Sequence, residues 1–119
     1  MDAMTALTTR RSVRKYKSDP VSREVLEKIV NAGRLAPTAR NVQPWAFVVV
    51  TEAARRRRLA EISEYGKFIA DAPACIVVLS QDTKYYLEDG CAATTNILNA
   101  AAALGLGSCW VAGDKKSYA

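Results

Sequence analysis

The stretch TRRSVRKY, Thr9 to Tyr16, sets four cations, Arg10, Arg11, Arg14 and Lys15, within six positions. Like charges this close repel one another, so something must compensate for them. Helical spacing would put Arg10 and Arg14 on one face. Extended spacing would put Arg10, Ser12 and Arg14 on one side. Either way two guanidiniums and a hydroxyl converge. A guanidinium fork matches phosphate oxygens bidentately, and a serine hydroxyl adds a neutral donor. On these residues alone, a solvated basic face, a grip on nucleic acid and a cradle for one small anion all stay open.

A second stretch, LAPTARNVQPW, runs from Leu35 to Trp45. Asn41 and Gln43 each offer a donor and an acceptor, and Thr38 adds a hydroxyl. Pro37 and Pro44 stiffen the loop on both sides. Amides held beside a tryptophan suit a flat heterocycle with a mixed hydrogen-bonding edge. The same residues also suit an ordinary helix-to-strand loop.

Other motifs carry less. ALGLGSCW follows a helical pattern rather than a strand and is not GxGxxG, so it is no dinucleotide fingerprint. Arg55 to Arg58 are four consecutive cations. On a helix they spread around most of a turn and read as a solvated face, so replacing Arg56 is expected to be nearly silent. Glu88 and Asp89 are adjacent, hence on different helical faces, and make a poor acid–base pair. The chain has no histidine, which excludes a Ser-His-Asp triad, a Cys-His pair or a His-containing zinc site.

The 119 residues fit one domain, 1–119, and half are hydrophobic with 24% charged, a globular composition. The net charge of +5 favours anionic partners without choosing among them. Cys75, Cys91 and Cys109 are odd in number, without CxxC, and read as buried reduced thiols of a cytosolic protein. The N-terminus lacks a signal-peptide pattern, and no apolar run is long enough to span a bilayer. A cytoplasmic protein is the expectation, with no membrane partner.

The elements that must position these residues follow from patterning. A short helix is expected from Ala3 to Thr9, with Asp2 as its cap. A second starts after Ser22, with Val25, Leu26, Ile29 and Val30 on one stripe and Pro37 as its end. WAFVVVT reads as a strand covered on both faces, and ACIVVLS as a second. Between them Thr51 caps a helix over roughly 52–64. The longest helix runs from about Tyr85 to Leu104, rich in small residues and central or pressed against another subunit, with Gly105 as its stop. GSCWVAG starts a third strand. Strands separated by helices indicate an α/β or α+β sheet with crossover connections.

Taken together, RRSVRKY, APTARNVQPWAFVVV and DGCAATTNILNAAAALGLGSCWV resemble the nitroreductase family of FMN-dependent oxidoreductases. The resemblance covers the chain from about Thr9 to Gly113. It implies an α+β fold, a mixed sheet flanked by helices, in an obligate homodimer with FMN at the subunit interface. Arg10, Arg11, Ser12 and Arg14 would hold the cofactor: Arg10 and Ser12 near the phosphate and ribityl chain, Arg14 near the pyrimidine edge. Pro37, Thr38, Ala39 and Asn41 would come from the other subunit. The long helix would form much of the dimer contact. Hydride addition at flavin N5 leaves negative charge near N1, which a fixed Arg14 favours, so no protein acid or base is obligatory.

The resemblance also implies a reaction. NAD(P)H reduces the flavin and leaves, then a nitroaromatic, quinone or similar acceptor is reduced in the same cleft. Family members continue past SCWVAG with a further strand, so the chain reads as incomplete at its C-terminus. Two alternatives stand beside this one. The first is a non-catalytic remnant of the same fold that dimerises or binds flavin without turnover. The second is a small basic nucleic-acid-binding protein, disfavoured by the small-residue helix and the lack of a binding motif.

Overall fold

The computed structural model describes residues 1–119. Helix α1 spans Ala3–Thr9 and starts where the Asp2 carboxylate accepts the Thr5 N–H at 2.8 Å. That bond holds the Asp2 carboxyl below its ordinary range. Helix α2 spans Arg23–Arg34, and Ser22 Oγ accepts the Val25 N–H at 3.2 Å, the expected cap. It ends at Leu35, short of Pro37, because the residue before a proline leaves the helical region.

Strand β1, Trp45–Val50, and strand β2, Cys75–Ser80, pair antiparallel, with Phe47 opposite Val78 and Val49 opposite Ile76. Helix α3, Ala53–Ile62, connects them through a 3-10 turn at Lys67–Asp71. Its cap is Glu52 rather than Thr51, and no side chain accepts a backbone N–H of its first turn. Helix α4 spans Tyr86–Ala103. It stops as expected at Gly105, whose φ of +81° is left-handed. Leu106 N–H bonds Ala101 O at 2.9 Å and Gly105 N–H bonds Ala102 O at 3.0 Å, the doubled closure of a glycine-terminated helix.

The core forms where α2 and α4 cross over one face of the sheet. Ile29, Ile97 and Ala101 are buried there, with Val25, Phe47, Ile76, Val78 and Leu106 packed around them. Gly33 makes this crossing close, because a Cβ on it would lie 2.8 Å from Ile97 Cγ1. Asn96 Nδ2 ties the two helices by donating to Ala32 O at 3.0 Å.

The α+β reading holds, with two differences of detail. β1 is not covered on both faces: Phe47 faces the core, while Ala46 and Val48, on the opposite face with Leu79, are exposed. Its unbroken apolar run hides an alternation of environments from Trp45 to Val48, which ends at the exposed Val49. The expected third strand at GSCWVAG is reduced to one isolated parallel bridge between Ser12 and Ser108. The only ladder is antiparallel, so parallel pairing is confined to that bridge.

Candidate functional site

The basic segment leaves α1 in extended form. Arg10 has φ −54° and ψ 137°, and its N–H closes the helix on Ala6 O. Beyond it the backbone is tied to the other end of the chain. Ser12 bridges Ser108, and Val13 N–H donates to Ser108 O at 2.9 Å. Gly107 permits this approach, since a Cβ there would lie 3.0 Å from Val13 Cβ. Tyr16 anchors the far end: its hydroxyl donates to Val13 O, and its ring lies 6.1 Å from that of Phe68. Burial pushes the Tyr16 phenol up to about 12.

Between these anchors the cations face outward. Arg11, Ser12, Arg14 and Lys15 are exposed and Arg10 is half-buried. None of the four cations takes part in an ion pair. Arg11 Nη1 donates only to Arg10 O at 2.9 Å and Thr8 O at 3.4 Å. The repulsion among them is left to solvent or to an anion. Hydrogen bonds to a charged acceptor contribute about 1.5–3 kcal/mol each, so an anion gripped by two or three of these donors would be held well.

The second predicted segment is bent far more tightly than an ordinary loop. Ala39–Asn41 form a 3-10 turn, and Arg40, Asn41 and Gln43 have φ of 57°, 55° and 53°. Left-handed backbone costs a side-chain-bearing residue roughly 1–2 kcal/mol, so three in four positions need outside support. Thr38 supplies part of it. Its carbonyl accepts Asn41 N–H and its hydroxyl accepts Gln43 N–H, both at 3.2 Å. Gln81 N–H ties Pro44 O to the end of β2 at 2.9 Å. Ala39 N–H donates to Asp89 Oδ1 of α4 at 3.2 Å. Pro37 and Asn41 are exposed, while Thr38 and Ala39 are half-buried. The Asn41 side chain makes no hydrogen bond within the chain, so its amide is free to meet a ligand.

A cleft of about 270 Å³ opens between this loop and the start of α4, lined by Ala39, Arg40, Val42, Thr83, Lys84, Tyr85 and Asp89. Asp89 is buried at 4% exposure. From the sequence it is only half of a poor acid–base pair with Glu88, because the partner that gives it a role lies fifty residues away. Within the single chain the two predicted groups, Arg10–Arg14 and Pro37–Asn41, share no hydrogen bond or ion pair.

The Arg55–Arg58 run is not a free face. Arg55 pairs with Glu52 and Arg58 with Glu61, both at 3.5 Å. Arg56 turns inward, donating to Thr51 O at 3.2 Å, to Ala70 O at 3.0 Å and to Ala72 O. Arg56 thus departs from the solvated face expected of the run: its guanidinium ties α3 to the turn before β2, so a cost in stability is now expected on its replacement. The three cysteines are half-buried rather than buried, and burial raises the Cys75 thiol. No three His, Cys, Asp or Glu converge as metal ligands, and no helix is long and apolar enough to cross a membrane.

Comparison with known proteins decides the fold's kinship. The model of the Nitroreductase family matches residues 7–66, which takes in both predicted segments. The chain belongs to the nitroreductase family. Two archaeal proteins named "Putative NADH dehydrogenase/NAD(P)H nitroreductase" are similar to it. The one from Methanothermobacter thermautotrophicus is 37% identical over 92% of this chain and 60% of its own length. The one from Archaeoglobus fulgidus is 40% identical over 92% of this chain and 67% of its own. The chain thus spans about two thirds of the length of these curated relatives. Among solved structures, an FMN-dependent nitroreductase of Clostridium difficile R20291 superposes with a TM-score of 0.92 at 34% identity, covering 98% of this chain and 69% of its own. As a member of the nitroreductase family, this chain carries its unpaired cations and its strained loop inside the region the family model matches.

Proposed function

We propose that the chain works as a homodimer that binds FMN between subunits and acts as an NAD(P)H-dependent oxidoreductase on electron-poor acceptors such as nitroaromatics and quinones. The observation that carries this reading is the set of Arg10, Arg11, Arg14 and Lys15, held on an anchored extended segment with no acidic partner. The donor chemistry fits FMN. Arg10 and Ser12 offer a guanidinium fork and a hydroxyl to a phosphate dianion. Asn41, with an amide free of internal bonds, would join Pro37, Thr38 and Ala39 of the second copy in closing over the flat ring system. The homologous C. difficile enzyme, FMN-dependent by name, gives the same direction.

When bound, FMN supplies the centre that accepts hydride from NAD(P)H and passes electrons on. The chain's own residues bind and orient it. Arg14 would place its cation at the pyrimidine edge, where it would favour added negative charge without moving a proton. A chain without histidine can serve such chemistry, because the cofactor carries the reaction. One cleft serves donor and acceptor in turn, so the kinetics are of ping-pong form.

The test is direct. Purified chain is titrated with FMN by flavin fluorescence, its mass is measured by light scattering, and NADH and NADPH are each supplied with a quinone or a nitroaromatic. A dimer that binds FMN and shows parallel double-reciprocal plots is expected. Flavin bound but never bleached by either nicotinamide would leave a binding protein without turnover. Absence of FMN binding, with salt-sensitive retention on heparin, would overturn the reading in favour of nucleic acid.

A further inference from the structure

Asp89 is the one acidic side chain buried in this fold, at 4% exposure, and the flavin reading leaves it without a role. It sits in the first turn of α4, where the positive end of the helix favours a carboxylate. No cation pairs with it, although Arg40 and Lys84 line the same cleft. Its Oδ1 instead accepts the Ala39 N–H. Ala39 opens the turn in which Arg40, Asn41 and Gln43 are all left-handed.

From Pro37 to Pro44, two polar ties join this loop to the rest of the molecule. Pro44 O, at the strand end, accepts from Gln81 N–H. Ala39 N–H, at the other end, reaches Asp89. The remaining hydrogen bonds of the loop, from Asn41, Val42 and Gln43, stay inside it. On the α4 side no other side chain bonds the loop, and the nearby Thr83 hydroxyl is buried without a partner. A loop under backbone strain with one tether on that side takes its shape from the tether. The dependence is mutual, because a buried carboxylate that loses its donor is costly.

We propose that Asp89 is a positioning residue, which fixes the Thr38–Asn41 turn in the form that the flavin meets. The proposal rests on the flavin reading above, and its test separates the two. Wild type, Asp89→Asn and Asp89→Ala are compared as full chains in FMN affinity, in the visible circular dichroism of bound flavin at saturation, and in amide exchange of residues 38–43 without flavin. Asp89→Ala is expected to weaken FMN binding by about tenfold or more, to change the flavin dichroism and to speed exchange in the loop, with β1, β2 and α2 unaffected. Asp89→Asn keeps an acceptor oxygen and is expected to stay within about threefold of wild type on every measure.

Wild-type exchange and affinity in Asp89→Ala would overturn the proposal. So would an Asp89→Asn variant as damaged as Asp89→Ala. Should Asp89→Ala not fold, Ala39→Pro removes the same bond from the donor side. Thr38, at φ −131° and ψ 155°, already has the backbone that precedes a proline. Ala39→Pro is expected to lose FMN affinity in the same way, and wild-type affinity in it would overturn the proposal. If wild type binds no FMN, the flavin reading falls, and the exchange comparison alone decides whether Asp89 holds the loop.

Discussion

Two basic runs of similar density meet opposite fates in this molecule. Arg55 to Arg58 lie on a helix that brings its own acids, and three of the four guanidiniums are engaged by Glu52, Glu61 and backbone carbonyls. Arg10 to Lys15 lie on an extended segment, and no acid pairs with any of them. The difference is one of partners rather than of charge. A run of arginines points to a ligand when the fold leaves its donors unspent, and to architecture when it does not.

The comparison can be broken most sharply at the first run. Arg10→Ala and Arg14→Ala are each expected to weaken FMN binding by about 10–100-fold, the loss of one or more charge-assisted hydrogen bonds, with the unfolding midpoint unchanged. Arg14→Ala should also slow flavin reduction more than it weakens dimerisation. Stopped-flow reduction and sedimentation read the two effects. A lowered midpoint with intact flavin affinity would move this run into the architectural class.

Arg56→Ala should do the reverse, costing about 1–3 kcal/mol in urea unfolding because it strips three carbonyls of a charged donor. Arg56→Lys should recover only part of that, since one ammonium cannot reproduce the planar fork. Flavin affinity measured below the transition should not change.

Tyr16, which anchors the first run, gives a smaller effect that depends on pH. Burial raises its folded pKa to about 12 from an ordinary 10.0. The neutral phenol is thus favoured in the folded state. Its contribution is complete below pH 10 and is lost as pH rises from 10 toward 12. Wild type should lose stability over that window, and Tyr16→Phe should flatten the loss relative to its own value at neutral pH. Parallel alkaline curves for the two proteins would refute this.

The smallest effect is expected at Arg57, the exposed member of the helical run with no internal partner. Arg57→Ala should stay within about 0.5 kcal/mol of wild type and bind FMN equally well.

Much of the scaffold was legible because its signals are local. Asp2 and Ser22 cap the first two helices as their types suggest, and Gly105 stops the last. Both strands lie where the β-branched runs stand. What escaped reading depends on distant neighbours. Val48 looks as buried as Phe47 in sequence, and only the placing of α2 and α4 on one side tells them apart. The bond from Ala39 to Asp89 and the inward turn of Arg56 involve segments that sequence distance separates. The left-handed backbone at Arg40 and Gln43 has no signature in those residue types; Asn41 alone hints at it.

The stitch between Ser12 and Ser108 carries a consequence for biosynthesis. Translation runs from the N-terminus, so the arginine-bearing segment is made well before the residue it pairs with. Until then it is held by α1 and, once Phe68 has been made, by the contact of the Tyr16 ring. On the flavin reading proposed above, a complete cradle is expected only after that late closure.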